Sequence, residues 1–115
     1  AGVQEIATHC RQLQKIDLTA TGVTDHGVQE LARGCPNLQT ISLYQCSAVT
    51  DIGVKELSNC RNLQTIILDD TKVTDPCIQE FLQKLSNVTR CSIENTPAWK
   101  GVGKLREKFP HVKFD

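Results

Sequence analysis

Six cysteines and three histidines are the residues with the most obvious chemistry in this chain. Zinc sites draw on close pairs such as Cys-x-x-Cys. This sequence has no such pair, and His9-Cys10 is its one His–Cys neighbour. Cys10, Cys35 and Cys60 instead recur at intervals of 25 residues. Equal spacing puts them at one point of successive copies, in a column at about the strand spacing of 5 Å. That separation bridges only with good side-chain geometry. The expectation is therefore buried, reduced thiols acting as small hydrophobes, with no metal and no cofactor. Reduced thiols fit a cytoplasmic or nuclear compartment.

The other reactive constellations dissolve on inspection. A nucleophile needs a neighbouring base, and none of His9, His26 and His111 falls in register with both a carboxylate and a nucleophile. No enzyme activity and no small-molecule substrate is expected. Gly101-Val102-Gly103 is a Gly-x-Gly, but Gly101 belongs to a repeat described below, and there is no phosphate loop. Asn87-Val88-Thr89 is a formal glycosylation acceptor. Val88 falls on a buried register, so a chance match is the better reading. Asp69-Asp70 and Glu94 suggest a cation site or, better, an acidic patch, since residues 51–80 carry six acids and three bases. Residues 100–115 carry five bases and two acids, which reads first as a solvated capping helix.

Whole-chain composition narrows the classes further. In 115 residues, thirteen Lys and Arg balance thirteen Asp and Glu. A zero balance argues against nucleic-acid or membrane-surface binding, both of which select for excess Lys and Arg. No apolar run approaches the length of a membrane-spanning helix. The first residues lack the basic and apolar regions of a signal peptide.

The elements that carry these residues are copies of one unit. Gly27-Val28-Gln29-Glu30-Leu31-Ala32 runs on to Leu38, Ile41 and Leu43, and Gly53-Val54-Lys55-Glu56-Leu57 runs on to Leu63, Ile66 and Leu68. An earlier copy starts at Gly2-Val3-Gln4-Glu5-Ile6-Ala7, a later one at Cys77-Ile78-Gln79-Glu80-Phe81, and a partial one at Gly101-Val102-Gly103-Lys104-Leu105. Val28, Leu31 and Ala32 share one helical face. The last two positions of Leu38-x-x-Ile41-x-Leu43 alternate as a strand does. Asp25, Asp51 and Asp75 are expected to cap helix N-termini, with Pro76 at the first helical position. Gly34 and Asn59 are expected to end helices in the left-handed conformation. A strand plus a helix in about 25 residues cannot bury its own apolar face, whereas stacked copies can. Strands stack more narrowly than helices, so the sheet should line the concave side.

This pattern resembles the cysteine-containing subclass of leucine-rich repeats. The residues that carry the resemblance are the anchors Leu13, Leu38, Leu63 and Val88, the corner Cys, and the run Val49 to Val54 with its near copy Val23 to Val28. Cys46 matches the second family cysteine, with Thr21, Thr71 and Thr96 in its place elsewhere. Leu85 and Phe109 replace the corner Cys, Cys77 replaces Gly, and Cys91 replaces a strand Leu, which looks like drift toward a C-terminal cap. The resemblance implies an α/β fold, a ribonuclease-inhibitor-like right-handed solenoid with helices on the convex face. One domain, 1–115, would hold units 2–25, 26–51, 52–75, 76–99 and a cap 100–115. The family serves as a protein-binding surface in F-box substrate receptors of ubiquitin ligases and in related mitotic-exit regulators.

In such a repeat the residues between the strand leucines face outward. Here they are Lys15, Asp17 and Thr19, then Thr40, Ser42 and Tyr44, then Thr65, Ile67 and Asp69, then Arg90, Ser92 and Glu94. Tyr44 and Ile67 are the large apolar members, the kind of anchor interfaces use. Another protein is the expected partner. The alternative is a structural subunit or scaffold held through its ends or helices. Trp99, Phe109 and Phe114 read as the lid over the last copy. The chain opens on a helix with no strand or polar cap before it, which favours a piece of a longer protein. An unpaired first strand would leave an edge open to dimer formation.

Overall fold

Each strand of this protein centres on one inward apolar residue with a polar or β-branched neighbour on either side, the composition that suits a half-buried pleat. The computed structural model describes Ile6 and residues 9–115. Within them lie β1 (Lys15–Asp17), β2 (Thr40–Ser42), β3 (Thr65–Ile67), β4 (Arg90–Ser92) and β5 (Lys113–Phe114), one parallel sheet in sequential order. Register follows the copy spacing, with Ile16 beside Ile41, Ile41 beside Ile66, and Ile66 beside Cys91. Entry to the strands is also periodic. The Gln14 carbonyl accepts from Gln39 and Thr40, that of Gln39 from Gln64 and Thr65, and that of Gln64 from Thr89 and Arg90. The helix expected for the first copy, Gly2 to Ala7, lies largely outside the described residues.

The strands alternate with helices α1 (Asp25–Gly34), α2 (Asp51–Glu56), α3 (Asp75–Lys84) and α4 (Val102–Lys108). A 3-10 turn, Leu57–Asn59, extends α2, and another, Pro97–Gly101, leads into α4. Val28, Leu31 and Ala32 of α1 and Ile78, Phe81 and Leu82 of α3 are buried in the same cluster as Leu38, Ile41 and Leu43. The helices therefore cover one face of the sheet and leave the other open. Trp99, Phe109 and Phe114 close the last copy: the two phenylalanines are buried, and Trp99 is half-buried with the Arg106 guanidinium 5.7 Å from its ring centre.

Two expectations about helix ends are corrected. The N-cap residues are Thr24, Thr50 and Thr74, so each Asp is the first residue inside its helix. The carboxylates of Asp25 and Asp51 bond to the next copy instead, while Asp75 accepts from the Gln79 amide in its own helix at 3.2 Å. Asp25 accepts from the Thr50 N–H at 2.8 Å, the Thr50 hydroxyl at 2.6 Å and the Gly53 N–H at 3.0 Å. Asp51 accepts from the N–H and hydroxyl of Thr74 at 2.8 and 2.7 Å. Gly53 is required there, because a Cβ would lie 2.6 Å from the Asp25 carboxylate.

Gly34 and Asn59 are not left-handed either. Among the described residues, positive φ occurs at Ala20, Gln45, Asp70 and Asn95, one per copy, just past the strand. Helices end instead by driving a residue into the core. Cys35, Cys60, Leu85 and Phe109 are buried. Each bonds its N–H back into the preceding turn, and its carbonyl accepts from the next strand anchor. This is why Leu and Phe substitute for Cys at the corner: the position asks for apolar volume, and the backbone supplies the polar bonds.

Candidate functional site: the open face of the sheet

The outward residues form three rows across the strands. The first runs Lys15, Thr40, Thr65, Arg90, with Lys113 on β5. The second runs Asp17, Ser42, Ile67, Ser92. The third lies past the strand ends at Thr19, Tyr44, Asp69 and Glu94, still tied by backbone bonds from Ala20 N–H to Tyr44, Gln45 N–H to Asp69 and Asp70 N–H to Glu94. A shallow depression lies over the first two rows, lined by Lys15, Ile16, Asp17, Thr40, Ser42 and Ile67.

Most of the expected residues reach solvent, with two corrections. Tyr44 is 39% exposed, but Ile67 is only half-buried rather than exposed, because strands flank it on both sides. Ser92 is buried: it sits between Ile67 on β3 and Asp115 just past β5, and its hydroxyl donates to the Asp69 carboxylate. Lys15, Asp17, Arg90 and Glu94 are exposed, whereas Thr40, Ser42, Thr65 and Asp69 are half-buried. Arg90 is engaged within the chain by the Asp115 carboxylate at 2.9 Å. Thr19's hydroxyl and N–H both donate to Asp17, which holds that carboxyl below its usual range.

No protein-family model matches this chain, and no curated protein does.

The chemistry at the other candidate residues is local and structural. All six cysteines are free. Cys35, Cys46, Cys60 and Cys91 are buried, and Cys77 is half-buried. Cys10 departs from the expected buried column: it is exposed, with no earlier corner beneath it among the described residues. The Cys35 thiol donates to the Cys10 carbonyl at 3.3 Å, and the Cys60 thiol points to the Cys35 carbonyl at 3.7 Å. The second cysteine position has its own logic. Cys46 reaches back to the Leu18 carbonyl at 3.0 Å, while Thr21, Thr71 and Thr96 bond the carbonyl three residues earlier in their own copies.

His26 is exposed and lies 3.5 Å from Glu30, one helical turn on. Among the described residues no group of three or more His, Cys, Asp or Glu side chains is placed to hold a metal ion. No described helix is long and apolar enough to cross a membrane. In the basic C-terminal stretch, Lys108 donates to Gln79 at 2.8 Å and Arg106 to the Phe114 carbonyl at 3.3 Å, so part of that charge is structural.

Two features escaped the sequence reading. Ile52, on α2, is 62% exposed. A cavity of about 250 Å³ opens between α2 and α3, lined among others by Asp51, Lys55, Cys77 and Phe81. Cys77 stands there where the neighbouring copy has Gly53. Burial pushes its thiol up to about 12, with the Asp51 carboxylate adding to the effect, which favours the protonated form at neutral pH. The one sequence signal for either feature is the replacement of Gly by Cys at position 77.

Proposed function

We propose that this chain is a single non-catalytic protein-recognition domain, a cysteine-type leucine-rich-repeat solenoid whose open sheet face is the concave reading surface. The observation that carries the reading is the one-sided sheet. A helix layer closes one face, while the other presents small polar residues around an exposed Tyr44 and the Ile67 shelf. An aromatic anchor with a polar rim is how protein interfaces concentrate their energy. The repeated register, the buried corner residues and the buried thiols support the repeat family, and free thiols fit a reducing cytoplasmic or nuclear compartment. By the same resemblance, the partner is a protein destined for ubiquitin transfer, with this chain as the substrate-reading part of an F-box-type receptor.

Ile52 and the neighbouring cavity favour a second reading, a scaffold subunit held through its helices. One experiment separates the two. A cell-extract pull-down with mass spectrometry compares wild type with the Tyr44→Glu, Ile67→Asp double variant, checked for folding by circular dichroism. Loss of a dominant partner, with ubiquitin-ligase components co-purifying with wild type, is the expected outcome. A partner list unchanged by the double variant but emptied by Ile52→Asp would replace the first reading with the second.

A further inference from the structure

The open face is electrically lopsided along its strands. Where the strands end, Asp69 and Glu94 lie side by side on adjacent turns, and Asp70 follows Asp69. Neighbouring strands are about 4.8 Å apart, so like charges there repel. No Lys or Arg among the described residues pairs with any of the three. Neutral donors orient them instead: the Ser92 hydroxyl donates to Asp69, and the Asn95 amide donates to Asp70. Each of these bonds uses one carboxylate oxygen and cancels no charge.

Tyr44 occupies the same row on the next strand, beside Asp69, and no side-chain hydrogen bond among the described residues occupies its hydroxyl. A cation held by Asp69 would have Tyr44 as its neighbour in the row, an aromatic ring that can add cation–π attraction. Ile67 lies two residues earlier on the strand that leads to Asp69. At the opposite ends of the strands the charge is reversed but spread out, with Lys15 on β1 and Lys113 on β5 at the two edges and Arg90 already matched by Asp115. Asp69 also acts on a buried thiol: Cys91, raised first by burial, is raised further by Asp69 and by Asp115.

We propose that the partner of this face is a basic protein segment, one that sets a Lys or Arg side chain against Tyr44, Asp69 and Glu94 and an apolar side chain on Ile67. The inference rests on the open face being the binding surface and adds the chemistry of what binds. A cation there relieves the repulsion between the acids, accepts the ring face of Tyr44 and leaves the supporting Ser92 and Asn95 bonds in place.

The test is selection from a random-sequence peptide display library on the folded wild-type chain, followed by binding of individual labelled peptides by fluorescence anisotropy. The same peptides are measured on Tyr44→Glu, Ile67→Asp and on Asp69→Asn, Glu94→Gln. The expected pool is enriched in Lys and Arg. Its peptides bind the neutralised variant about tenfold more weakly, and added salt closes the gap. Glu94→Gln alone, at an exposed side chain, shows the same direction at smaller size if the double change disturbs folding. A pool that needs Tyr44 and Ile67 yet shows no basic enrichment, or ignores the neutralised acids, overturns the basic-partner inference and leaves the face standing. A pool indifferent to Tyr44 and Ile67, or no enriched pool, overturns both.

Discussion

Asp25 accepts three hydrogen bonds from residues 25 to 28 positions further along the chain. A carboxylate so employed is a latch between copies, and its geometry dictates its neighbour. Any side chain at Gly53 would meet that carboxylate and also press on the Asp25 Cα at 3.2 Å and the Val28 Cβ at 3.3 Å. Asp25→Ala is expected to lower stability by about 3 kcal/mol, as charged hydrogen bonds are lost and buried donors are orphaned. Gly53→Ala is expected to cost about 2 kcal/mol by overpacking. The two should not add: with the carboxylate gone, the alanine at 53 costs less, since one of its three close contacts has vanished. Urea unfolding of the four proteins in the cycle reads this directly, and strict additivity would contradict the shared contact. The sequence points to Asp at this position but not to its role. Local spacing matches a cap, and the true partner is a full copy away.

At the scale of the element, the turn after each of β1 to β4 holds one left-handed residue, and none of the four is glycine. Ala20 and Gln45 have φ of 56° and 61°, where an L side chain crowds its own carbonyl at about 1–2 kcal/mol. Asp70 and Asn95 tolerate the conformation better because short polar side chains bond locally. Gln45 is exposed and its side chain makes no hydrogen bond among the described residues. Gln45→Gly should therefore relieve the strain, less the roughly 0.5–1 kcal/mol of chain entropy that glycine adds to the unfolded state. A net gain of about 0.5 kcal/mol, seen as a higher urea midpoint with unchanged slope, is expected, and a lower midpoint would deny the strain.

These turns mark where the sequence was legible and where it was not. Strand register could be read because the buried anchors Leu38, Leu63 and Val88 are apolar at one fixed interval. The left-handed turns could not, because the usual glycine signal is absent there, while Gly34 carries that signal at a helix end that does not use it. On the open face, alternation correctly separated Ile41 and Ile66 from their outward neighbours. It could not foresee that Ser92 would be covered by Asp115 and bonded to Asp69, a burial that depends on the last strand.

The whole molecule measures 39 × 25 × 18 Å, a stack in which each copy leans on the next. Its core holds several protonated thiols. Burial is the main cause that lifts Cys60 from 9.0 to about 11 and Cys91 to about 12, with Cys77 at about 12 and Cys35 also raised. The folded chain thus keeps protons that the unfolded chain releases first. Stability from this source is complete below about pH 9 and is lost as the pH rises from there toward about 12. The urea midpoint should stay level up to about pH 8.5 and fall by about pH 10.5, and Cys91→Val should lessen the fall. A midpoint flat across that window would show that the thiols ionise as freely in the folded chain as in the unfolded one.

The direction of the Asp latches has a temporal side. The Asp25 carboxylate is synthesised before Thr50 and Gly53, and the Asp51 carboxylate before Thr74, so on a ribosome each acceptor waits for donors that have not yet been made. Thr50 and Gly53 complete the Asp25 latch, and Thr74 completes that of Asp51. A chain that ends between Asp25 and Thr50 therefore lacks every donor that the Asp25 carboxylate uses in the fold.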